Sequence, residues 1–183
     1  SCSEPKGGRH PAGPVARILA QVFPGRGWHH GPSNRRARAE TDAETQSMQT
    51  LLIDGHNLLY ATRPAFAAEL VDGHPGTAAR AALVARLLHA FPPPGPPVLL
   101  YFDGHEASVE RASGRVQVIY SGGEGQQRAD GAMLRRLAEL RAADRDTPVM
   151  VVTRDLKLAR RARKRGAEVV SPGEFCAAWE LLG

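Results

Sequence analysis

Three short apolar runs in this chain each stop at an aspartate, and that repetition constrains the fold more than any other feature. Gln49-Thr-Leu-Leu-Ile stops at Asp54, Pro97 to Phe102 stops at Asp103, and Val149 to Arg154 stops at Asp155. Apolar runs of this length read as buried strands, and the glycine that follows the first two aspartates reads as a turn. Open α/β sheets place their chemistry at the carboxyl ends of such strands. The pattern therefore predicts a fold that brings carboxylates together along one rim.

The segments between the runs support an α/β chain. Strand one is expected at about 49–54, followed by a polar turn and a short helix after Pro64, through Leu70. Ala81, Val84, Leu87, Leu88 and Phe91 recur at helical spacing over 77–91, and the proline run 92–94 ends that helix. Strand two is Val98–Phe102, a polar loop spans Gly104 to Arg115, and strand three is Val116–Tyr120. A helix at about 129–143, strand four at Val149–Thr153, a basic helix at about 156–165, strand five at Glu168–Val170 and a last helix from Pro172 to Leu182 complete the order. Gly166 is placed to end the basic helix. Helices alternating with near-continuous apolar strands predict a mostly parallel sheet with helices on both faces.

Residues 1–47 differ from the rest. They are rich in Gly, Pro, Arg, Ser and His and keep no apolar period beyond Val15–Phe23, so composition predicts a disordered basic extension. Met48 stands directly before strand one and offers a natural start, in which case the first 47 residues are not native coding sequence. The domain is expected at 48–183. Val15–Phe23 is too short, and too broken by Arg17, for a secretory signal, and no run is long enough for a transmembrane helix. A cytoplasmic location without membrane contact is the expectation. Cys2 and Cys176 are far apart and lack C-x-x-C spacing, which argues against a disulfide framework and a zinc site.

Asp130, in Arg128-Ala129-Asp130-Gly131, opens a predicted helix and adds a fourth acid to the three strand ends. Clustered carboxylates repel one another unless a cation intervenes, and the cations they prefer are hard ions such as Mg²⁺ or Mn²⁺. Such ions can activate water against a phosphodiester. Each acid also has a structural reading, Asp130 and Asp155 as helix caps and Asp54 and Asp103 as turn formers. Asn57 and Thr153 stand near the acids and could orient them. His56 and His105 could move protons, although loop histidines are usually only solvated, and Glu124 is a weaker candidate in a flexible loop.

A net charge of +5 points to an anionic partner. Lys157, Arg160, Arg161 and Lys164 form a basic stretch that is either a solvated helix face or a contact for RNA phosphates, with Arg128 and Arg154 flanking the acids. Aromatics make up only 5%, too few to propose a base-stacking platform. There is no G-x-G-x-x-G after strand one, no P-loop and no G-x-S-x-G elbow.

Leu-Leu-Ile-Asp54-Gly-His-Asn57, Tyr-Phe-Asp103-Gly, Arg-Ala-Asp130 and Val-Val-Thr153-Arg-Asp155, in this order, resemble the YacP-like branch of the NYN-domain family over about 48–183. NYN domains are similar in fold to PIN and FLAP-type nucleases. The resemblance implies a three-layer α/β/α sandwich and a metal-dependent endoribonuclease. It implies that Asp54, Asp103, Asp130 and Asp155 are the catalytic, metal-binding acids, supported by Asn57 and Thr153. It extends to RNA at the ribosome as a partner, and to 5′-phosphate and 3′-hydroxyl products. Arg128 departs from the pattern, since related chains often carry threonine or serine there. Two other readings stand beside it, a non-catalytic RNA- or ribosome-binding module and a metal-dependent phosphatase for small phosphoesters.

Overall fold

The structure, a computed structural model, describes residues 49–62, 70–71, 74–91, 95–123 and 128–180. The extension 1–47 and Met48 lie outside the described residues. The domain is built on one six-stranded sheet. Its strands are β1 (Thr50–Asp54), β4 (Val98–Phe102), β5 (Ala107–Arg111), β6 (Val116–Ser121), β7 (Val149–Val152) and β8 (Glu168–Val170). They lie in the order β5-β6-β4-β1-β7-β8, all parallel except β5, which runs antiparallel to β6. A separate two-stranded ladder pairs β2 (Leu70–Val71) with β3 (His74–Pro75).

The near-continuous apolar strands arise because both faces of the sheet are covered. Leu51 and Ile53 of β1 pack on one face against α1 (Gly55–Ala61), α2 (Thr77–Ala90) and α5 (Pro172–Glu180). Leu52, between them, packs on the other face against α3 (Arg128–Ala143) and α4 (Leu156–Arg163). All five residues of β1 and of β4 are buried. The result is the expected α/β/α sandwich.

Three expectations need correction. The turn expected after strand one is a helix, α1, because the Asp54 side chain accepts from the Asn57 backbone N–H at 3.0 Å and caps it. The loop expected over Gly104–Arg115 contains β5. All five of its side chains are exposed, so as an edge strand it shows no apolar alternation. Ser113 closes the β5–β6 turn by accepting from the Arg115 and Val116 N–H groups at 3.2 and 3.0 Å. Leu70, expected at the end of a short helix, instead begins β2; the rest of that predicted helix, from Ala65 to Glu69, lies outside the described residues.

The topology also fixes where a site can form. From β1 the chain moves through α1 and α2 on one face to β4, and from β7 it moves through α4 on the opposite face to β8. The two chains leave the carboxyl ends of adjacent strands in opposite directions, and the crevice this opens is where α/β sheets bind ligands.

Candidate active site

A cleft of about 770 Å³ lies at this crevice, and Asp54, Asp103, Asp130 and Asp155 all line it. Each acid arrives from a different segment. Asp54 ends β1, Asp103 follows β4, Asp130 lies in the first turn of α3, and Asp155 precedes α4. The cap reading of Asp155 holds together with a shared cleft, whereas Asp54 and Asp103, expected as turn formers, accept from helix N-termini, and Asp130 is a first-turn acid that caps nothing among the described residues. Asp155 Oδ1 accepts from the Leu158 N–H at 2.7 Å and caps α4. Asp103 Oδ1 accepts from the Arg128 and Ala129 N–H groups at 3.1 and 2.9 Å, across the chain, at the start of α3. Among the described residues, the second oxygen of each of these two carboxylates, and both oxygens of Asp130, accept no hydrogen bond. Three helix N-termini thus meet the acids.

Asp54 is the most constrained of the four, at 6% exposed. Its Oδ2 accepts from the Asn57 amide and from the Thr153 hydroxyl, the latter at 3.2 Å. The Asn57 amide also donates to Thr153 Oγ1 at 3.1 Å, and the Asp155 N–H donates to the same oxygen at 3.1 Å. Thr153, itself 3% exposed, therefore ties the ends of β1 and β7 together. Gly55 lets the start of α1 lie against Phe102 of β4, because a Cβ there would press into the Phe102 ring.

Burial pushes the Asp54 carboxyl up, against the lowering effect of its hydrogen bonds to Asn57 and Thr153. Burial also raises Asp130, and the charges of Asp54, Asp155 and Asp103 raise it further, to about 6, while Arg161 opposes them. Asp130 therefore senses the other three acids through space. Arg136 and Glu139 form an ion pair on the surface, and none of the four acids takes part in it.

The remaining candidates divide. Arg154 and Lys157 line the cleft. Arg160, Arg161 and Lys164 are exposed on α4 and at its C-terminal end, and the buried side of the helix carries Leu158, Ala159 and Ala162. Arg128 donates from its guanidinium to the Gly122 carbonyl at 2.6 Å, which fixes the turn after β6, where Gly122 and Gly123 take φ of 65° and 89°. Only its backbone N–H meets the acid set, through Asp103. His56 lines the cleft, edge-on to Phe102 with ring centroids 5.3 Å apart. Burial and Arg80 lower its pKa, which favours a neutral ring. The His105 side chain is exposed and outside the cleft lining. Glu124 lies outside the described residues.

Tyr60 and Leu156 also line the cleft and were not among the sequence candidates. The signal for Tyr60 was available. Once Asp54 is read as a helix cap, Tyr60 falls one turn beyond His56 on the same face of α1.

Comparison with known proteins agrees with this architecture. The chain is similar to the crystal structure of a single-residue mutant of Rae1 (YacP) from Bacillus subtilis, at 24% identity and a TM-score of 0.58, covering 74% of this chain and 77% of that one. It is similar to the crystal structure of Rae1 (YacP) from Bacillus subtilis without that mutation at 24% identity and a TM-score of 0.54, covering 74% and 75%. No curated protein sequence matches the chain. Among the described residues no helix is long and apolar enough to cross a membrane. The sequence pattern of the YacP-like NYN domain matches residues 51–181, most of the chain, so this protein belongs to the YacP-like NYN domain family and has a nuclease-type fold that supports an RNA-related role.

Proposed function

We propose that this protein is an endoribonuclease that hydrolyses RNA phosphodiester bonds with a divalent cation, and that messages at the ribosome are among its substrates. The observation that carries this reading is the meeting of four aspartates from four chain segments in one cleft at the β1–β7 crevice. Among the described residues no three metal-ligating side chains close around a single point. That arrangement still fits Mg²⁺ or Mn²⁺. Mg²⁺ in particular usually keeps several waters and takes one or two carboxylates, and the unused oxygens of Asp103, Asp130 and Asp155 are hard donors. When bound, such a cation supplies charge neutralisation and a water activated near neutral pH.

The chain's own groups divide the remaining work. Asn57 and Thr153 hold the Asp54 carboxylate in one orientation. The helix caps fix one oxygen each of Asp103 and Asp155 and leave the other free of protein donors. Arg154 and Lys157 supply positive charge at the cleft wall for phosphates flanking the scissile one. The exposed cations of α4 extend that charge along the outer surface.

The test is to incubate the full chain with ribosome-free and ribosome-bound RNA in Mn²⁺. Cleavage that leaves 5′-phosphate and 3′-hydroxyl ends and stops on chelation is the expected result. Binding without cleavage in either RNA pool contradicts it and favours a binding module. Turnover of nucleotide monophosphates without RNA cleavage favours a phosphatase.

A further inference from the structure

We propose that Tyr60 and Leu156 form a nucleobase platform on the lips of the acid cleft, one that selects an unpaired RNA nucleotide next to the scissile phosphate. This rests on the reading of the cleft as an RNA site and adds what the acids cannot supply, a preference for single strands.

Among the described residues the large apolar side chains left open to solvent are Tyr60 at 44%, Val109 at 60% and Leu156 at 80%. Val109 belongs to the edge strand β5, whereas Tyr60 and Leu156 line the same cleft. Single exposed apolar residues are ordinary, but two at the mouth of a cleft otherwise lined mainly by charged and polar groups mark a contact surface.

Both are carried by the elements that hold the acids. Tyr60 sits on α1, the helix capped by Asp54 and carrying Asn57. Leu156 is the first residue of α4, directly after Asp155, whose N–H bonds Thr153 and whose carboxylate bonds the Leu158 N–H. The platform and the acids therefore keep a fixed relation through the Asp54–Thr153–Asp155 network.

The occupant follows from complementarity. Arg154 and Lys157 line the cleft and suit phosphate, while an aromatic ring and an aliphatic side chain suit the faces of a base. Neither apolar side chain reads a base edge, so the platform tolerates different bases. It requires one whose face is free, which a duplex does not offer.

The test uses the full chain in Ca²⁺, which carboxylates also hold, and a uridine oligonucleotide with one 2-aminopurine. The wild-type chain is expected to quench the probe on binding, and the same probe in a duplex is not. Tyr60→Ala should abolish quenching and weaken binding about tenfold, Leu156→Ala should weaken it less, and Tyr60→Phe should retain both. Failure to bind, binding without quenching, or quenching by Tyr60→Ala equal to wild type overturns the proposal. Cleavage in Mn²⁺ is read separately. Quenching without cleavage leaves the platform and defeats the nuclease, and cleavage without quenching does the reverse.

Discussion

Asp54 carries conflicting demands under the proposed function: it is buried, yet a cation site requires it ionised. Two side-chain donors and one backbone N–H meet that demand, and Thr153 is the one that reaches it from another strand. Thr153→Val keeps the volume but removes the hydroxyl, leaving a buried carboxylate short of a donor. Such a loss costs about 1–3 kcal/mol, and a urea melt should show it at unchanged m-value. Gly55→Ala tests the other constraint. Phe102 is fully buried and cannot retreat, so the added methyl should destabilise the fold by about 1–3 kcal/mol in the same assay. A change within a few tenths of a kcal/mol for either variant would contradict this account of how the β1 end is built.

At the scale of elements, α4 separates two roles. Its N-terminus presents Asp155 and Lys157 to the cleft, and its exposed side and C-terminal end carry Arg160, Arg161 and Lys164. Basic residues near a helix C-terminus also complement its dipole, so their charge alone does not prove contact with RNA. Replacing all three by alanine should weaken RNA binding and reduce the slope of log K against log salt by about 2, since each lost contact to a single strand removes about 0.7. An unchanged slope would make the face structural only. The strands β1, β4 and β7 were legible in the sequence because burial on both faces writes them as apolar runs, and β6 and β8, only partly buried, were legible through their β-branched residues. β5 was not legible, since an exposed edge strand imposes no pattern on Ala107–Arg111. The four acids were legible as strand ends and a helix start. The double use of Asp103 was not, because its partners, the Arg128 and Ala129 N–H groups, are distant in sequence. Tyr60 is legible only once Asp54 is read as a helix cap, and Leu156 is not legible at all, since a single aliphatic residue leaves no pattern.

For the whole molecule, the gathering of acids is a source of instability that depends on pH. Burial and the neighbouring acids raise Asp130 from its ordinary 3.8 to about 6. The folded chain therefore holds this proton where the unfolded chain has lost it. Stability from this group is fully present below about pH 4, falls as pH rises through about 6, and is lowest above that. Asp54, raised by burial, acts in the same direction. Asp130→Asn should flatten the slope and raise Tm at pH 7 relative to wild type. Mn²⁺ should raise Tm more at pH 7 than at pH 5, because bound cations require deprotonated ligands. Equal shifts at the two pH values would contradict a cation held by these carboxylates.

The acids meeting at the end of β1 are assigned the hydrolysis itself, and Asp54 is the one whose loss should be felt most. The most direct test is the rate of RNA cleavage by the full chain in Mn²⁺, compared with Asp54→Asn, whose amide keeps the shape but not the charge. The account predicts that Asp54→Asn stays folded and cleaves at least about a hundredfold more slowly, a loss of about 2.7 kcal/mol in transition-state stabilisation. Cleavage by Asp54→Asn at the wild-type rate would contradict it.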